Sequence, residues 1–306
     1  MASKRRKSSA PPAARSSRAP KKRAERTWLR VALPLTGLAM GLAGAALFTQ
    51  SGQRALNHYV FAHKRVTFPE GSTRFDMAQK LQDAQVCSKA AFLATTEDAS
   101  LLRELGVQGD SLEGYLFPAT YAWPKNSDAR EIARRMKREF DKRTAELLAA
   151  PVPDNAPPGW DARARLVLAS VVEKEAQAPD ERAHIAGVLL RRLTSADFPS
   201  RLLQSDPTAA YPCLRAREMG GTAPAPCAGY AGIITPALLH DASNVYSTYT
   251  HAGLPPGPIC NPGLPALRAA VAPDATEDMY FVAKGGGRHT FSRTYEDHIR
   301  AMRGVR

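Results

Sequence analysis

A stretch at residues 166–176 reads LVLASVVEKEA and decides how the rest of the chain is interpreted. Its apolar run predicts a helix over residues 162–176 that lies in the protein core. Successive residues of a helix turn by about 100°, so Glu173 and Glu175 point to opposite sides of it. The two acids therefore cannot act together as the carboxylate pair of one hydrolytic site.

Glu175 is the stronger candidate for chemistry, because it continues the stripe of large aliphatic side chains: Leu168, Val171 and Val172. Burial among aliphatic groups removes hydration from a carboxylate, which raises the pKa and suits a general acid near neutral pH. The pattern also fits a plain helix end, where both acids face solvent or pair with basic neighbours: Arg163, Arg165 and Lys174.

Around this helix, periodicity and turn signals predict further elements. Helices are expected at about 74–85, 88–94, near 101, 128–148 and 180–193. Residues 201–208 suggest an extended segment stopped by Pro207, and residues 279–292 suggest a hairpin that turns at three glycines. Helices that come first and strands that come later predict an α+β fold.

Residues 64–112 predict a small β-α-α unit, and one interpretation of it is a packing module with no chemistry of its own. Cys213 and Cys227 flank a loop rich in Gly, Pro and Ala and form the best candidate pair for a disulfide. The sequence has no CxxC or HExxH motif, and its seven histidines are scattered. No metal site and no organic cofactor are predicted.

The N-terminal region suggests export of the rest of the chain. Residues 1–30 hold eleven of the 42 basic side chains and one of the 29 acidic ones, which predicts a disordered cytoplasmic tail. Residues 31–49 carry no charge and just span a bilayer of roughly 30 Å as a transmembrane helix. A cleaved signal peptide is the alternative. Residues 50–63 form a linker, and because the basic charge lies in the tail, no nucleic-acid partner is expected.

Five separated segments carry a resemblance to a known family. They read EGYLFP at 113–118, ASVVEKE at 169–175, LQSDPT at 203–208, GLPPGPI with NPG at 253–263, and YFVA with HTF at 280–291. In this order they resemble the endolytic murein transglycosylases, the MltG/YceG-like family. The resemblance implies a membrane helix, a LysM-like unit at 64–112 and a mixed helical and β catalytic domain at 113–306.

The resemblance also implies an activity: cleavage between N-acetylmuramic acid and N-acetylglucosamine inside peptidoglycan strands. The catalytic acid of the family falls on Glu175. This carboxyl protonates the departing oxygen and then takes the proton of the muramyl C6 hydroxyl, which closes a 1,6-anhydro ring. One carboxyl suffices, whereas ordinary glycosidases need two.

Substrate contacts are expected from polar and aromatic positions on the later segments: Gln204, Asp206, Tyr246, Tyr249 and Asn261. Ser247 replaces the Asn that is usual in the family. The resemblance implies the inner membrane as location, peptidoglycan strands and the membrane as partners, and penicillin-binding synthases beside them. Two alternatives stay open: a membrane-anchored scaffold without turnover, and a two-carboxylate hydrolase in which a second acid approaches Glu175, namely Glu113, Asp206 or Asp241.

Overall fold

The computed structural model describes residues 63–152, 156–221 and 224–304. They belong to one compact unit that runs from Phe61 to Arg306. The predicted cytoplasmic tail, the membrane helix at 31–49 and nearly all of the linker lie outside the described residues. Among the helices that are described, none has the length and apolar character needed to cross a bilayer.

The first part of the chain forms a two-stranded sheet and three helices, which lie between the two strands in the sequence. Strand β1 (His63–Thr67) is followed by α1 (Arg74–Asp83), α2 (Lys89–Thr96) and α3 (Ala99–Glu104), and then by β2 (Thr120–Pro124). The two strands pair antiparallel, with His63 opposite Pro124. Sequence reasoning identified β1 and the helices but missed β2, which has only five residues and ends in proline. The sheet therefore straddles the predicted domain boundary at residues 112 and 113.

The larger part of the unit is helical and is built around the predicted core helix. It contains α4 (Ala129–Leu148), α5 (Ala162–Glu175), α6 (Arg182–Thr194), α7 (Asp206–Met219), α8 (Pro236–Leu239) and α9 (Leu264–Val271). Helix α5 packs against α6, α7 and α9, and its residues from Val167 to Val172 are all buried. One continuous apolar core joins these helices, apart from α8, to the small sheet. The prediction of a central helix at 162–176 is thus confirmed.

Helix α7 corrects the expectation of an extended segment at 201–208. Residues 201–205 have no regular structure, and the helix begins at Asp206. Pro207 lies in the first turn, where a helix needs no N–H from it, so it starts the helix instead of stopping a strand. Pro212 lies inside the same helix and interrupts the hydrogen-bond ladder there. The two prolines hid this helix from pattern analysis.

The chain ends with a hairpin and a last helix. Strands β3 (Tyr280–Gly285) and β4 (Arg288–Ser292) pair antiparallel, and α10 (Tyr295–Gly304) follows. Gly285, Gly286 and Gly287 all have positive φ, a conformation that suits glycine in a tight turn. The predicted hairpin is confirmed, as is the α+β class.

A disulfide joins Cys213 on α7 to Cys227 in the following loop, as the sequence predicted. It closes off a small second apolar cluster, formed by Ala209, Cys213, Cys227 and Leu238. Cys87 and Cys260 are free thiols, and Cys260 is buried.

Candidate active site

Glu175 is the last residue of α5, and its half-buried side chain faces the start of α7. The Ser205 hydroxyl donates a hydrogen bond of 2.5 Å to its Oε1. Ser205 itself is fixed by its backbone N–H, which donates to Thr248 Oγ1 at 3.0 Å. Ser205 therefore links the Glu175 carboxyl to the start of α7 and to the segment at 244–249.

The pKa of Glu175 is raised above its ordinary value. Burial is the largest cause, and the negative charge of Asp206 adds to it, whereas the Ser205 hydrogen bond and the electrostatic interactions with His289 and Arg192 act in the opposite direction. Glu175 also stands at the C-terminal end of α5, where the helix dipole disfavours a negative charge. This carboxyl is thus inclined to hold a proton, as a general acid requires.

Three of the predicted substrate contacts belong to the segments that meet this carboxyl. Asp206 is the first residue of α7 and is exposed, and the half-buried Tyr249 donates a 2.6 Å hydrogen bond from its phenol to Asp206 Oδ1. Burial, reinforced by Asp206, raises the pKa of Tyr249. Gln204 is exposed and left-handed, with φ of 53°, and its N–H donates to the Thr248 carbonyl. A left-handed conformation in a residue other than glycine carries a strain that is common at functional sites.

Arg192 of α6 supports the same region from behind. Its guanidinium is buried and donates to the carbonyls of Leu203 and Met279, so it ties the segment before Ser205 to the start of the hairpin. Its positive charge is one of those that act on Glu175. Sequence reasoning missed Arg192. The usable signal was a basic residue within an otherwise apolar helical stripe, Ile185, Val188 and Leu189.

The hairpin contributes His289, which sequence reasoning placed in a motif without giving it a role. Its Nδ1 lies 2.8 Å from Glu181 Oε2, and its backbone N–H also reaches that carboxyl. Burial alone would raise the pKa of Glu181, but the contacts with His289 and the charge of Arg288 outweigh it and lower the pKa. Glu181 therefore stays ionised and holds the hairpin against the start of α6.

The interpretation of residues 173–175 as a plain helix end does not hold. The basic neighbours use their side chains elsewhere: Arg163 on the carbonyls of Gln108 and Pro256, Arg165 on those of Leu148, Ala150 and Pro151, and Lys174 on that of Gly71. Glu173 accepts a 3.0 Å hydrogen bond from the Gly263 N–H and lies 3.8 Å from Arg182. Glu173 thus connects α5 to Gly263, just before α9, and to Arg182 of α6, on the side of α5 away from Glu175.

Asn261 is not at this site, which corrects the expectation of a sugar contact there. It is fully buried. Its Oδ1 accepts from the Leu116 N–H at 2.9 Å, and its Nδ2 donates to Glu113 Oε1 at 2.7 Å and to the Ser72 carbonyl at 3.0 Å. An amide with every group bonded inside the protein has nothing left for a ligand. Asn261 connects the small sheet region to the helical part.

Glu113 is the centre of that second cluster. It is 1% exposed and accepts from the Arg74 N–H, from Asn261 and from the Tyr211 phenol, while the Arg74 guanidinium lies 3.8 Å away. Burial raises its pKa to about 7, against the lowering effect of Arg74. Gly114 must be glycine, because a Cβ would lie 2.6 Å from Pro258. The segment at 113–118 thus serves packing between the two parts of the unit.

Tyr246 belongs near this second cluster as well. Its ring lies 5.3 Å from that of Tyr211 and faces a cavity of about 330 Å³. Burial raises the pKa of Tyr246 to about 12. Tyr249 and Tyr246 therefore lie in different places although they belong to one segment. Tyr249 bonds Asp206 near Glu175, whereas Tyr246 lines the cavity.

Ser247, the departure from the family pattern, has a structural role. It is fully buried, donates to the Leu239 carbonyl and accepts from the Tyr249 N–H. Asp241, one candidate for a second carboxylate, binds Ser243 at the start of the same loop. Of the three acids considered as partners of Glu175, Asp206 is the one whose charge contributes to raising the pKa of Glu175. Among the described residues, no three His, Cys, Asp or Glu side chains lie together as a metal site needs.

Comparison with known proteins gives concordant matches. A family model described as the YceG-like family matches residues 46–304. An endolytic murein transglycosylase of Bacillus subtilis is 29% identical over 252 residues, which cover 78% of this chain and 64% of that protein. A protein of the same name from Streptococcus pneumoniae is 28% identical over 256 residues, covering 77% of this chain and 43% of that one.

A solved structure agrees with the fold. The crystal structure of a YceG-like protein from Listeria monocytogenes matches with a TM-score of 0.62 at 28% identity, over 77% of this chain and 75% of that chain. The present chain spans less than two thirds of the length of the two curated relatives, 64% and 43%.

Proposed function

Since this chain belongs to the YceG-like family, we propose that it is an endolytic lytic transglycosylase that cuts peptidoglycan glycan strands internally. The observation that carries the proposal is a single carboxyl, Glu175, that is inclined to hold a proton and stands beside exposed polar groups. The names of the Bacillus and Streptococcus relatives support the reaction and the substrate.

In the proposed reaction Glu175 transfers a proton twice. As an acid it protonates the glycosidic oxygen that leaves the N-acetylmuramic acid. As a carboxylate it then accepts the proton of the muramyl C6 hydroxyl, whose oxygen attacks C1 and forms the 1,6-anhydro ring. The Ser205 hydrogen bond keeps the carboxyl oriented and favours the charged form in the second half of the cycle.

Asp206, Tyr249 and Gln204 are the proposed substrate-binding groups at the cleavage point. The Asp206 carboxylate supplies negative charge near the C1 atom, which becomes positive in the transition state. Tyr249 orients Asp206 through its phenol, and the exposed Gln204 amide supplies a donor and an acceptor for sugar hydroxyls.

Oxygen-18 water and product analysis test this proposal. A transglycosylase gives anhydromuramyl ends without oxygen from water, whereas a hydrolase that uses Asp206 as second carboxylate gives reducing ends that carry the label. A scaffold protein gives no fragments. We expect anhydromuramyl products from the wild type and at least a roughly 10³-fold loss in Glu175→Gln.

Glu173→Gln is the matched control, because it changes a neighbouring carboxyl on the opposite side of α5. It should keep the activity and lose some stability through the Gly263 contact. Labelled reducing ends, or full activity in Glu175→Gln, would overturn the assignment.

We further propose that residues 31–49 anchor the chain in the cytoplasmic membrane, with residues 1–30 inside the cell and the catalytic domain outside. The basic tail supports this orientation, and the disulfide between Cys213 and Cys227 supports an oxidising location. The small sheet with α1 to α3 is proposed as a LysM-like unit, and penicillin-binding synthases as partners. Cysteine-labelling of residues on either side of 31–49 in intact cells tests the orientation.

A further inference from the structure

His289 on β4 is fixed through one nitrogen of its ring. Nδ1 lies 2.8 Å from Glu181 Oε2, and the backbone N–H of His289 bonds the same carboxyl. Although burial opposes it, the contacts with His289 and Arg288 lower the pKa of Glu181, which stays ionised. Because a carboxylate only accepts hydrogen bonds, Nδ1 is the donor of this pair. Nε2 is then the acceptor of the neutral imidazole.

The second ring nitrogen, Nε2, is available to a ligand. Within residues 63–152, 156–221 and 224–304 it has no hydrogen-bond partner, whereas Nδ1 has one. The side chain of His289 is 10% exposed, and Nε2 is not among the fully buried polar atoms without a partner. The opening is therefore narrow, but it leads to an acceptor that the protein itself does not use.

The orientation of the imidazole is fixed by aromatic neighbours as well as by Glu181. His289 stands opposite Ala283 in the hairpin, and Phe281 and Phe291 lie on the same face, because side chains alternate along a strand. The ring of Phe281 is 5.4 Å from the imidazole at 87°, and the ring of Phe291 is 6.3 Å away. These contacts leave the imidazole little freedom to turn, so Nε2 has a defined direction.

The hairpin lies against the end of α5, which carries Glu175. A Cβ added at Gly287 would lie 3.2 Å from the Cβ of Gln177, so the turn just before His289 faces the second residue after Glu175. The imidazole also interacts electrostatically with the Glu175 carboxyl. His289 therefore belongs to the surroundings of the proposed catalytic acid, to which it adds a hydrogen-bond acceptor.

We propose that His289 is a substrate-binding residue, whose Nε2 accepts a hydrogen bond from a hydroxyl of a sugar next to the bond that is cut at Glu175. The proposal rests on the proposed function and extends it. Sugar hydroxyls are good donors, and an acceptor that is already oriented binds one at little entropic cost. Glu181 is the positioning residue, because its contact with Nδ1 sets the tautomer. No proton moves to His289, and Glu175 alone exchanges protons with the substrate.

Two substitutions separate the roles of the two nitrogens. Counted in bonds from Cα, the amide end of Asn reaches the position of Nδ1, and that of Gln reaches the position of Nε2. His289→Asn therefore keeps a donor for Glu181 and loses the group at Nε2, whereas His289→Gln does the reverse. His184→Gln is the matched control, because His184 forms a second pair of this kind, with Asp278 at 2.9 Å, and packs on Phe291.

The test measures the affinity of each variant for purified uncross-linked glycan strands, in a Glu175→Gln background that leaves the strands uncut. Urea denaturation of the same proteins measures their stability. We expect His289→Asn to bind the strands about tenfold more weakly than His289→Gln, the effect of roughly one hydrogen bond. We expect the opposite order in stability, since His289→Asn keeps the contact with Glu181. His184→Gln should bind the strands as the parent protein does.

A purely structural role of His289 predicts that the more stable variant binds better. Equal affinities, or tighter binding by His289→Asn, would therefore overturn the contact at Nε2. If His289→Gln does not fold, the folded His289→Asn protein is compared with the parent, and undiminished affinity overturns the contact. A wild type that releases no anhydromuramyl ends, while the variants bind strands in the expected order, would refute the proposed function and leave the contact standing.

Discussion

Glu113 is a buried glutamate and Glu175 a half-buried one, and the two differ in how their carboxyls are bonded. Glu113 receives hydrogen bonds from the Arg74 N–H, Asn261 and Tyr211, and it is closed off from solvent. Glu175 receives one, from Ser205, and is only half-buried. Burial raises the pKa of both.

A raised pKa alone therefore does not identify a catalytic acid. A carboxyl whose oxygens are all occupied cannot transfer a proton to a substrate, whereas one that has a free side and an open approach can. Glu113 is therefore interpreted as a structural residue that connects two parts of the unit, and Glu175 as the candidate catalytic acid. Substitutions and pH should affect stability at the first carboxyl and turnover at the second.

The largest effect on stability is expected from Glu113→Ala. It leaves Arg74 buried beside an empty space and removes the acceptor of three donors, which should lower the free energy of unfolding by about 3–5 kcal/mol. Glu104→Ala is the control, because Glu104 pairs with Arg134 at the surface and should cost about 0.5 kcal/mol or less. Urea denaturation measures both. Equal losses of unfolding free energy in the two variants would contradict the structural role of Glu113.

A somewhat smaller effect is expected from pH. Burial raises the pKa of Glu113 from 4.5 to about 7, so the folded state holds its proton more tightly than the unfolded state. The stabilisation is complete below about pH 4.5 and is lost as the pH rises through about 7, a change of about 3 kcal/mol. The stability advantage of the wild type over Glu113→Gln should therefore shrink across this window. If the stability advantage of the wild type grew with pH instead, the folded state would favour the charged form of Glu113, contrary to this prediction.

The smallest effect is expected from Ser205→Ala. The variant loses the only hydrogen bond that the structure gives to the Glu175 carboxyl among the described side chains, so the pKa of Glu175 rises further. The high-pH limb of the rate profile should move to higher pH, with a turnover about tenfold lower. Thr194→Ala, which removes a hydroxyl bonded to the Leu190 carbonyl within α6, should leave the profile in place. If the high-pH limb stayed at the same pH in Ser205→Ala, Ser205 would have no effect on the pKa of Glu175.

The sequence predicted the parts of the fold that follow from periodicity. The central helix, the hairpin around Gly285–Gly287 and the pair Cys213–Cys227 rest on local signals, and all three are confirmed. Helix α7 was missed because Pro207 and Pro212 contradict the helical pattern. Strand β2 was missed because its partner, β1, lies more than fifty residues earlier, and pairing at such a distance leaves no local signal.

The candidate site was predictable only in part, for a related reason. Helical geometry alone separates Glu175 from Glu173, because the angle between two positions of a helix follows from their spacing in the sequence. The different destinations of Tyr246 and Tyr249, and the burial of Asn261, depend on how one loop meets α7 and the small sheet. Family motifs contain catalytic and packing residues side by side, and the motif at 261–263 proved to belong to the second kind.

The most direct test compares the rate of anhydromuramyl formation per folded molecule in Glu175→Gln and Glu113→Gln. We predict a loss of at least roughly 10³-fold in Glu175→Gln with no loss of unfolding free energy. In Glu113→Gln we predict a rate within about threefold of the wild type, together with a clear loss of stability. A Glu175→Gln protein that still cuts, or a folded Glu113→Gln protein that does not, would contradict the assignment of the two carboxyls.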